Sequence, residues 1–402
     1  MRTTSAWTAG VAAAALLLGA CSTGSPAKER PGSSPSVSSA PSEVSSSPAH
    51  GHGSGQSPRE RTPLRAGERI VDVRMPSSYK PSAPGKGTDD YRCFLLDPKV
   101  GSDSFVTGVD VAPGDEDVVH HVILFRVPPD QVSAAQDVDA RAQGQGWTCF
   151  GGSGLETMGG SLENAPWLGA WAPGGGERVL EGDIGIPLEA GSRIVMQVHY
   201  NLLAGAAPDR SSARLRIADG SRDLEALETT LLPAPVELPC RPGAEGPLCD
   251  REAAVRDVMD RFGPRAGQMV TGLQLFCGNG AGPRPGPSQS CTRRVEEEAT
   301  VRAVAGHMHL LGRKIRVELN PGGPRSRTLL DVPVWNFDDQ GTRALRTPVR
   351  IRPGDELKVT CTHDQGLRDV LPAFEDVPER YVVWGEGTTD EMCLGIVLVT
   401  RP

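Results

Sequence analysis

Two histidines separated by one residue are the strongest chemical signal in the sequence. His307 and His309 lie within residues 298–319, a run that is typical of a β-strand. Successive side chains of a strand alternate between faces, so both imidazoles project from the same side, about 7 Å apart along the backbone. This spacing lets both rings reach one metal ion. An isolated pair of this kind also fits two ordinary histidines on a solvated sheet face.

The distribution of the other histidines favours a metal. The chain contains eight histidines, and His120, His121 and His199 fall in two further strand-like segments. Adjacent strand residues normally face opposite ways, so His120 and His121 can bind one ion only where the strand bulges or twists. Without a bulge, one ring is buried and the other exposed. Together with His199, the pair forms a candidate three-histidine site.

His307 and His309 need a third ligand, and Met392 is the candidate. It lies in the segment TTDEMC, where polar residues precede it, which is unusual for a methionine that serves only the core. A thioether is a soft ligand that favours Cu(I), and three imidazoles with an open position suit copper or catalytic zinc. The residues therefore predict two metal sites, at least one of them for copper.

The first 65 residues read as a targeting segment and a tether. Residues 1–21 combine a basic start, a short apolar run and small residues before Cys21, which resembles the lipidation signal of bacterial lipoproteins. The alternative is a cleaved signal with an incidental cysteine. Residues 22–65 are rich in Ser, Pro and Gly and are predicted to be a disordered tether. We expect an extracytoplasmic protein that contacts the bacterial cell membrane only through this lipid anchor.

Charge and cysteine content narrow the partners and the compartment. The net charge is −8 with no basic block, so nucleic acid is not an expected partner. Setting Cys21 aside, eight cysteines remain, an even number that predicts four disulfides in an exported chain. The four cysteines between residues 240 and 291 allow three pairings. Proximity in sequence favours Cys240–Cys249 and Cys277–Cys291.

The rest of the chain reads mostly as short strands. Runs of Val, Ile, Leu and Thr that alternate with charged residues are separated by turn signals such as Pro-Gly-Asp. One helix is predicted, capped by Asp250 and ended by Gly263-Pro264. The pattern predicts an all-β fold of two tandem antiparallel β-sandwich domains, with one short helix inserted in the second. The first domain spans residues 66–227 and holds the three-histidine site; the second spans 228–402 and holds the two-histidine, one-methionine site.

Seven short motifs, taken together, carry a family resemblance. DDYRC, VHHVILF, WTC, QVHY, HMHLLG, CTHD and GTTDEMC follow one another along the chain. In this order they resemble the copper type II, ascorbate-dependent monooxygenases, the family of peptidylglycine alpha-hydroxylating monooxygenase and dopamine beta-monooxygenase. The resemblance covers most of residues 66–402 and is thin between 228 and 290. It implies two jelly-roll-like sandwiches, each with one copper, that face each other across a water-filled cleft.

The resemblance also assigns roles to individual residues. It makes His120, His121 and His199 the ligands of an electron-storing copper. It makes His307, His309 and Met392 the ligands of the copper where O2 binds and the substrate is hydroxylated. Tyr91 and Gln197 match positions near the first copper and the cleft. Cys93–Cys149 and Cys361–Cys393 match family disulfides, and the second would brace Met392 through its neighbour.

The sequence departs from the family where the peptide-hydroxylating members bind the substrate carboxylate. Their arginine, asparagine and tyrosine correspond here to Ala305, Leu394 and Ile396. A buried carboxylate without a partner is costly, so a peptide ending in glycine is not the expected substrate. His363, in CTHD, is expected to be a solvated turn residue.

The expected function is therefore that of a copper-dependent monooxygenase. It would hydroxylate an activated C–H of an unknown small molecule or peptide, using O2, two copper ions per chain and ascorbate or another one-electron donor. The alternative is a non-catalytic extracytoplasmic copper-binding lipoprotein that stores, senses or delivers copper.

Overall fold

The computed structural model describes residues 61–83, 87–155, 165–203, 205–278 and 280–402. The predicted signal at 1–21, the lipidation site Cys21 and residues 22–60 of the predicted tether lie outside these ranges. Residues 61–65 of that tether contact the folded part, because the carbonyl oxygens of Thr62 and Pro63 each accept a hydrogen bond of 2.7 Å from the buried guanidinium of Arg216. Ordered contacts thus begin before the predicted end of the tether.

The described residues form twenty strands, numbered in chain order. They are β1 (Glu68–Arg74), β2 (Asp89–Leu96), β3 (Ser104–Ala112), β4 (Val119–Val127), β5 (Trp147–Thr148), β6 (Trp167–Trp171), β7 (Arg178–Val179), β8 (Ile184–Leu188), β9 (Arg193–Asn201), β10 (Ser212–Asp219), β11 (Glu225–Pro233), β12 (Glu237–Leu238), β13 (Ser288–Arg294), β14 (Ala299–His307), β15 (Gly312–Leu319), β16 (Arg327–Val332), β17 (Arg343–Ile351), β18 (Glu356–His363), β19 (Val382–Val383) and β20 (Leu394–Thr400). The predicted all-β class is confirmed.

Three α-helices accompany the strands: α1 (Val132–Arg141), α2 (Arg251–Phe262) and α3 (Pro264–Cys277). The predicted helix is α2; its cap Asp250 accepts the Ala253 N–H at 2.8 Å, and Gly263 ends it with φ +85°. The two others were not predicted. Proline is favoured in the first turn of a helix, so the Gly263-Pro264 pair that ends α2 also begins α3. In α1 only one residue is buried, which leaves little apolar periodicity to detect.

The largest sheet has nine strands and runs through both halves of the chain. Its order is β1-β10-β3-β8-β11-β20-β14-β17, and β7 also pairs with β3. Strand β11 links the halves, because it pairs in parallel with β8 and antiparallel with β20. The expected boundary between residues 227 and 228 falls inside β11, and the division into two domains stays a prediction.

Two smaller sheets cover opposite faces of this large sheet. Strand β20 shows the arrangement, since Val397 and Val399 pack in a core with the four-stranded sheet β13-β18-β15-β16. Leu398, on the other face of β20, belongs to a second core, which is shared with the five-stranded sheet β5-β2-β9-β4-β6. Strands β12 and β19 form a separate pair. Antiparallel layers packed face to face in this way are sandwich architecture.

Four disulfides join the layers and loops, and all four predicted pairings are confirmed. The bonds are Cys93–Cys149, Cys240–Cys249, Cys277–Cys291 and Cys361–Cys393. The third ties the end of α3 to strand β13. No helix in the described part of the chain is both long enough and apolar enough to cross a membrane.

Candidate metal centre

A bulge in strand β4 brings three histidines together. The pairing of β4 with β9 shifts register between Val119 and His121, and His121 then lies opposite His199. This shift is the kind of bulge that a shared ion requires, and it turns the ring of His120 to the same side as that of His121. The Nδ1 atom of His120 lies 2.8 Å from that of His199 and 3.1 Å from that of His121. The Nδ1 atoms of His121 and His199 are 3.4 Å apart.

The chemistry of these nitrogens suits a metal ion better than a hydrogen-bond network. Burial, and then the neighbouring histidines, hold the pKa values of His120 and His121 well below the ordinary value, so both rings are neutral. Each neutral ring can leave one nitrogen lone pair free. Three such nitrogens directed at one another form the donor set that a metal requires. They cannot all be paired with one another through N–H···N hydrogen bonds.

Asp89 and Tyr91 fix the orientation of His199. The Nε2 atom of His199 lies 2.9 Å from Asp89 Oδ1, an acceptor, so Nε2 carries the proton and Nδ1 is left for a metal. Tyr91 stacks on the His199 ring with centroids 4.0 Å apart and 14° between the planes. Gln197 donates to the carbonyl oxygens of Cys149 at 2.9 Å and Gly152 at 2.5 Å. Tyr91 and Gln197 thus both lie beside histidines of this set.

The second histidine pair lies at a crossing between sheets. Residues 298–319 are not one strand: β14 ends at His307 in the large sheet, and β15 begins at Gly312 in the four-stranded sheet. The expectation of a single strand was wrong because alternation of side chains does not reveal where a chain changes sheet. The rings of His307 and His309 are nevertheless close, with centroids 5.2 Å apart. Gly306 lets the end of β14 pack closely against Ile315 of β15, because a Cβ at residue 306 would lie only 2.9 Å from the Ile315 side chain.

Within the described part of the chain, each ring of this pair has an acceptor at Nδ1, which leaves Nε2 available for a metal. His307 Nδ1 lies 2.6 Å from Gln340 Oε1, and the Gln340 amide is oriented by its own hydrogen bond to the carbonyl oxygen of Phe337. His309 Nδ1 lies 3.3 Å from the carbonyl oxygen of Asp390. Both neighbours are acceptors, so each Nδ1 carries the proton. The Nε2 atom of His309 is buried and has no partner among the described residues.

Met392 lines the same cavity as His307, and its side chain is buried. It lies two residues before Leu394, which pairs with His307 across the strands. The next residue, Cys393, is bonded to Cys361, so the predicted brace is present. The carbonyl oxygen of Met392 lies 3.2 Å from His363 Nε2. His363 is only 1% exposed, so the expectation that it is a solvated turn residue was wrong.

The two ligand sets lie against each other rather than on opposite sides of a cleft. The ring centroids of His121 and His307 are 6.0 Å apart, and those of His120 and His309 are 6.1 Å apart. The expected water-filled gap between the sets is therefore contradicted. Phe337, in the loop that also supplies Gln340, covers His120 at 4.9 Å.

A cavity of about 640 Å³ adjoins the cluster. Alternate residues of three neighbouring strands form its floor, and cross-strand partners on that floor include Leu231, Ile396 and Ala305. The three positions that replace the carboxylate-binding residues of the peptide-hydroxylating relatives, Ala305, Leu394 and Ile396, all line it. Trp167 and Trp171 contribute to the walls. The floor is thus apolar at Ala305, Leu394 and Ile396, and Leu394 is the cross-strand partner of His307.

Residues 288–398 match the model of the copper type II ascorbate-dependent monooxygenase C-terminal domain. This segment contains the histidine pair, Met392 and the Cys361–Cys393 bond. Residues 288–398 are therefore similar to a domain of the copper type II, ascorbate-dependent monooxygenase family.

Two curated relatives agree with this assignment over short stretches. The putative DBH-like monooxygenase protein 2 of Homo sapiens is 33% identical over 88 residues, 22% of this chain and 16% of that protein. Tyramine beta-hydroxylase of Caenorhabditis briggsae is 33% identical over 116 residues, 28% of this chain and 17% of that protein. The chain therefore matches less than a fifth of the length of either relative.

Similarity to solved structures adds nothing to the family similarity. The major capsid protein P2 of bacteriophage PM2 is 8% identical with a TM-score of 0.27, covering 83% of this chain and 97% of that one. A score this low supports no statement about fold or function.

Several residues at this candidate metal centre were missed from the sequence. Asp89, Gln340 and Glu391 all contact a predicted ligand residue. Asp89 is the first residue of the motif DDYRC and Glu391 lies within GTTDEMC, so a closer reading of the motif residues could have found them. Gln340 lies in no motif and carried no signal.

Proposed function

We propose that this chain is a copper-dependent monooxygenase that hydroxylates an activated C–H of a small molecule or peptide. It would use O2 and an external one-electron donor such as ascorbate. The observation that carries the proposal is the convergence of the Nδ1 atoms of His120, His121 and His199 next to His307 and His309, beside a cavity with an apolar floor. The family match over residues 288–398 supports copper as the metal.

The donor sets fit two copper ions of different character. His120, His121 and His199 would hold one through Nδ1, and His307, His309 and Met392 would hold the other through the two free Nε2 atoms and the thioether. The soft sulfur favours the reduced ion in the second set. When bound, copper supplies O2 activation and electron storage, while the protein supplies position and environment.

The chain's own residues determine what can approach the centre. The floor formed by Ala305, Ile396 and Leu231 would pack against an apolar part of the substrate and exclude water from the reacting C–H. Ala305, Leu394 and Ile396 offer no polar group to a carboxylate beside His307, which disfavours a peptide ending in glycine bound as in the peptide-hydroxylating relatives. Tyr91 and Gln340 hold the imidazoles in fixed orientations, which favours a defined approach of the substrate.

We also propose that the protein acts outside the cytoplasm, tethered to the membrane through lipidated Cys21. The four disulfides support an oxidising compartment. The lipidation signal at residues 1–21 supports the anchor.

The test measures copper per chain in the full-length protein after anaerobic reconstitution, with His199→Ala and His307→Ala as paired variants. Two coppers are expected, falling to one in each variant. The loaded protein should then consume O2 with ascorbate in the presence of a member of a panel of amines, phenols and peptides. Fewer than two coppers in the unmutated chain would contradict the two-site proposal. Two tightly held coppers without O2 uptake across the panel would favour the non-catalytic copper-binding alternative.

A further inference from the structure

Glu391 is a fully buried carboxylate between Asp390 and Met392, and its exposure is 0%. No arginine or lysine of the described residues forms an ion pair with it. Its charge partner is a histidine, His363, whose Nε2 lies 3.3 Å from Glu391 Oε2. A buried carboxylate needs hydrogen bonds to its oxygens to offset the loss of water. The backbone supplies most of them here.

The donors come from both sides of the candidate copper site. Glu391 Oε1 accepts the Leu311 N–H at 2.5 Å, and Oε2 accepts the His309 N–H at 3.0 Å and the Met392 N–H at 3.2 Å. One carboxylate thus joins the turn after β14 to the segment that enters β20. The turn contains His309 and the segment contains Met392.

His363 adds a third segment to this junction. It is the last residue of β18, and its Nε2 atom lies 3.2 Å from the Met392 carbonyl oxygen in addition to Glu391 Oε2. Both neighbours are acceptors, so Nε2 carries the proton and donates to them. The disulfide of Cys361, two residues earlier on β18, reaches Cys393 and closes the same junction.

We propose that Glu391 and His363 are positioning residues that set the distance and orientation of Met392 relative to His309. The inference rests on the proposed function, because the geometry matters most if His309 and Met392 bind one copper. Neither residue would touch the metal or the substrate. They act on the backbone of the two ligands, and so determine whether the thioether and the imidazole can reach one ion together.

The role requires a carboxylate. A glutamine has one acceptor oxygen, and its NH2 group would face N–H donors that now meet Oε1 or Oε2. At least one of the three N–H groups of His309, Leu311 and Met392 would then lose its partner in a buried place. For His363 the requirement is one N–H donor near Oε2, which glutamine can supply and leucine cannot.

The experiment compares Glu391→Gln, His363→Leu and His363→Gln with Glu237→Gln in the full chain. Glu237 is a matched control: its exposure is also 0%, but it accepts hydrogen bonds from Arg251, Gln274 and Tyr381, away from the ligands. Hydrogen exchange of the His309, Leu311 and Met392 amides is measured without metal. Cu(I) retention against a chelator and the copper–sulfur signal in X-ray absorption are measured after loading.

Glu391→Gln and His363→Leu should speed the hydrogen exchange of those amides. Both variants should also lower the affinity for one of the two Cu(I) ions about 10- to 100-fold and remove the copper–sulfur signal of that ion. His363→Gln should retain the unmutated behaviour, and Glu237→Gln should lower the unfolding temperature without changing either copper. Unchanged amide exchange and an unchanged sulfur signal in Glu391→Gln and His363→Leu would overturn the inference. If the unmutated chain binds no copper, the proposed function fails, and the amide exchange of the metal-free variants still decides this inference.

Discussion

Asp89 and Thr388 are joined by two hydrogen bonds to one carboxylate oxygen. Asp89 Oδ1 accepts the Thr388 hydroxyl at 2.7 Å and the Thr388 N–H at 3.0 Å. The same oxygen accepts His199 Nε2–H. One atom therefore connects a ligand of the three-histidine set to the loop that leads, four residues later, to Met392. The two candidate copper sites therefore lie against each other and are also both supported by Asp89.

Replacing Asp89 should weaken the three-histidine set first. Burial would raise the pKa of Asp89, but the hydrogen bond and charge of His199 and the bonds from Thr388 lower it to about 2, so it is ionised at neutral pH. Asp89→Asn removes the charge that orients the His199 proton, and copper affinity of that set should fall about 10- to 100-fold. Chelator competition measures the loss. Asp90→Asn is the control, because Asp90 is equally buried on β2 but bonds to Tyr79 and Ser82; an equal loss there would contradict the assigned role.

Removing the disulfide next to Met392 should affect copper as well as stability. The bond closes a loop with a sequence separation of 32 residues, and its loss in Cys361→Ala/Cys393→Ala should lower the free energy of unfolding by about 3 to 4 kcal/mol. It should also release the copper held with Met392. Cys240→Ala/Cys249→Ala provides the comparison, because it should destabilise the chain and leave both coppers in place. Urea unfolding and copper per chain distinguish the two effects.

The thioether of Met392 can be removed at nearly constant volume. Met392→Leu should change the free energy of unfolding by less than about 1.5 kcal/mol, since the side chains are similar in size. Copper should fall from two ions per chain to one, and hydroxylation should be lost with the three-histidine copper retained. Full turnover in Met392→Leu would show that the sulfur is not a ligand.

The sequence predicted local features of the centre well. The cap at Asp250 follows from a rule that acts over a few residues, and a bulge at His120 was the condition for both histidines to share one ion. Cys240–Cys249 and Cys277–Cys291 were favoured by proximity in sequence, whereas Cys93–Cys149 and Cys361–Cys393 came from the family resemblance. Gln340 and Asp89 escaped because they reach their histidines across long stretches of chain, and no spacing rule encodes such a contact. The burial of His363 was missed for the same reason.

The large sheet was also beyond prediction. Alternation identifies a strand but not its neighbours, and the two-residue parallel contact between β8 and β11 joins the halves with little local signal. The close approach of His121 to His307 depends on that shared sheet and on the loop containing Phe337. A family resemblance that implied a cleft could not reveal it.

Filling the cavity floor should separate substrate binding from metal binding. Ala305 is 4% exposed and pairs with Ile396 across the strands, with its side chain on the cavity side. In Ala305→Leu the added carbons would occupy cavity space next to His307. We expect kcat/KM for the best substrate of the O2-uptake panel to fall at least about tenfold, with both coppers retained. Unchanged kinetics would place the reacting group elsewhere in the cavity.

Acid should destabilise the fold through Glu68, away from the metal centre. Burial would raise the pKa of Glu68, but hydrogen bonds from the Arg65 N–H, Thr107 and Arg216, and from the Arg65 side chain, lower it from 4.5 to about 2. A carboxyl whose pKa is lower in the folded state stabilises the fold above its unfolded pKa, and this contribution is lost as the pH falls through the folded value. We therefore compare the free energy of unfolding of the unmutated chain with that of Glu68→Gln. The difference should be largest at pH 6 and above and should decrease between about pH 4.5 and pH 2. Urea unfolding across this range measures it. The exposed Glu116, changed in the same way, should show no such pH dependence. A difference that stays constant down to pH 2 would mean that the ionised carboxylate is not what stabilises this junction.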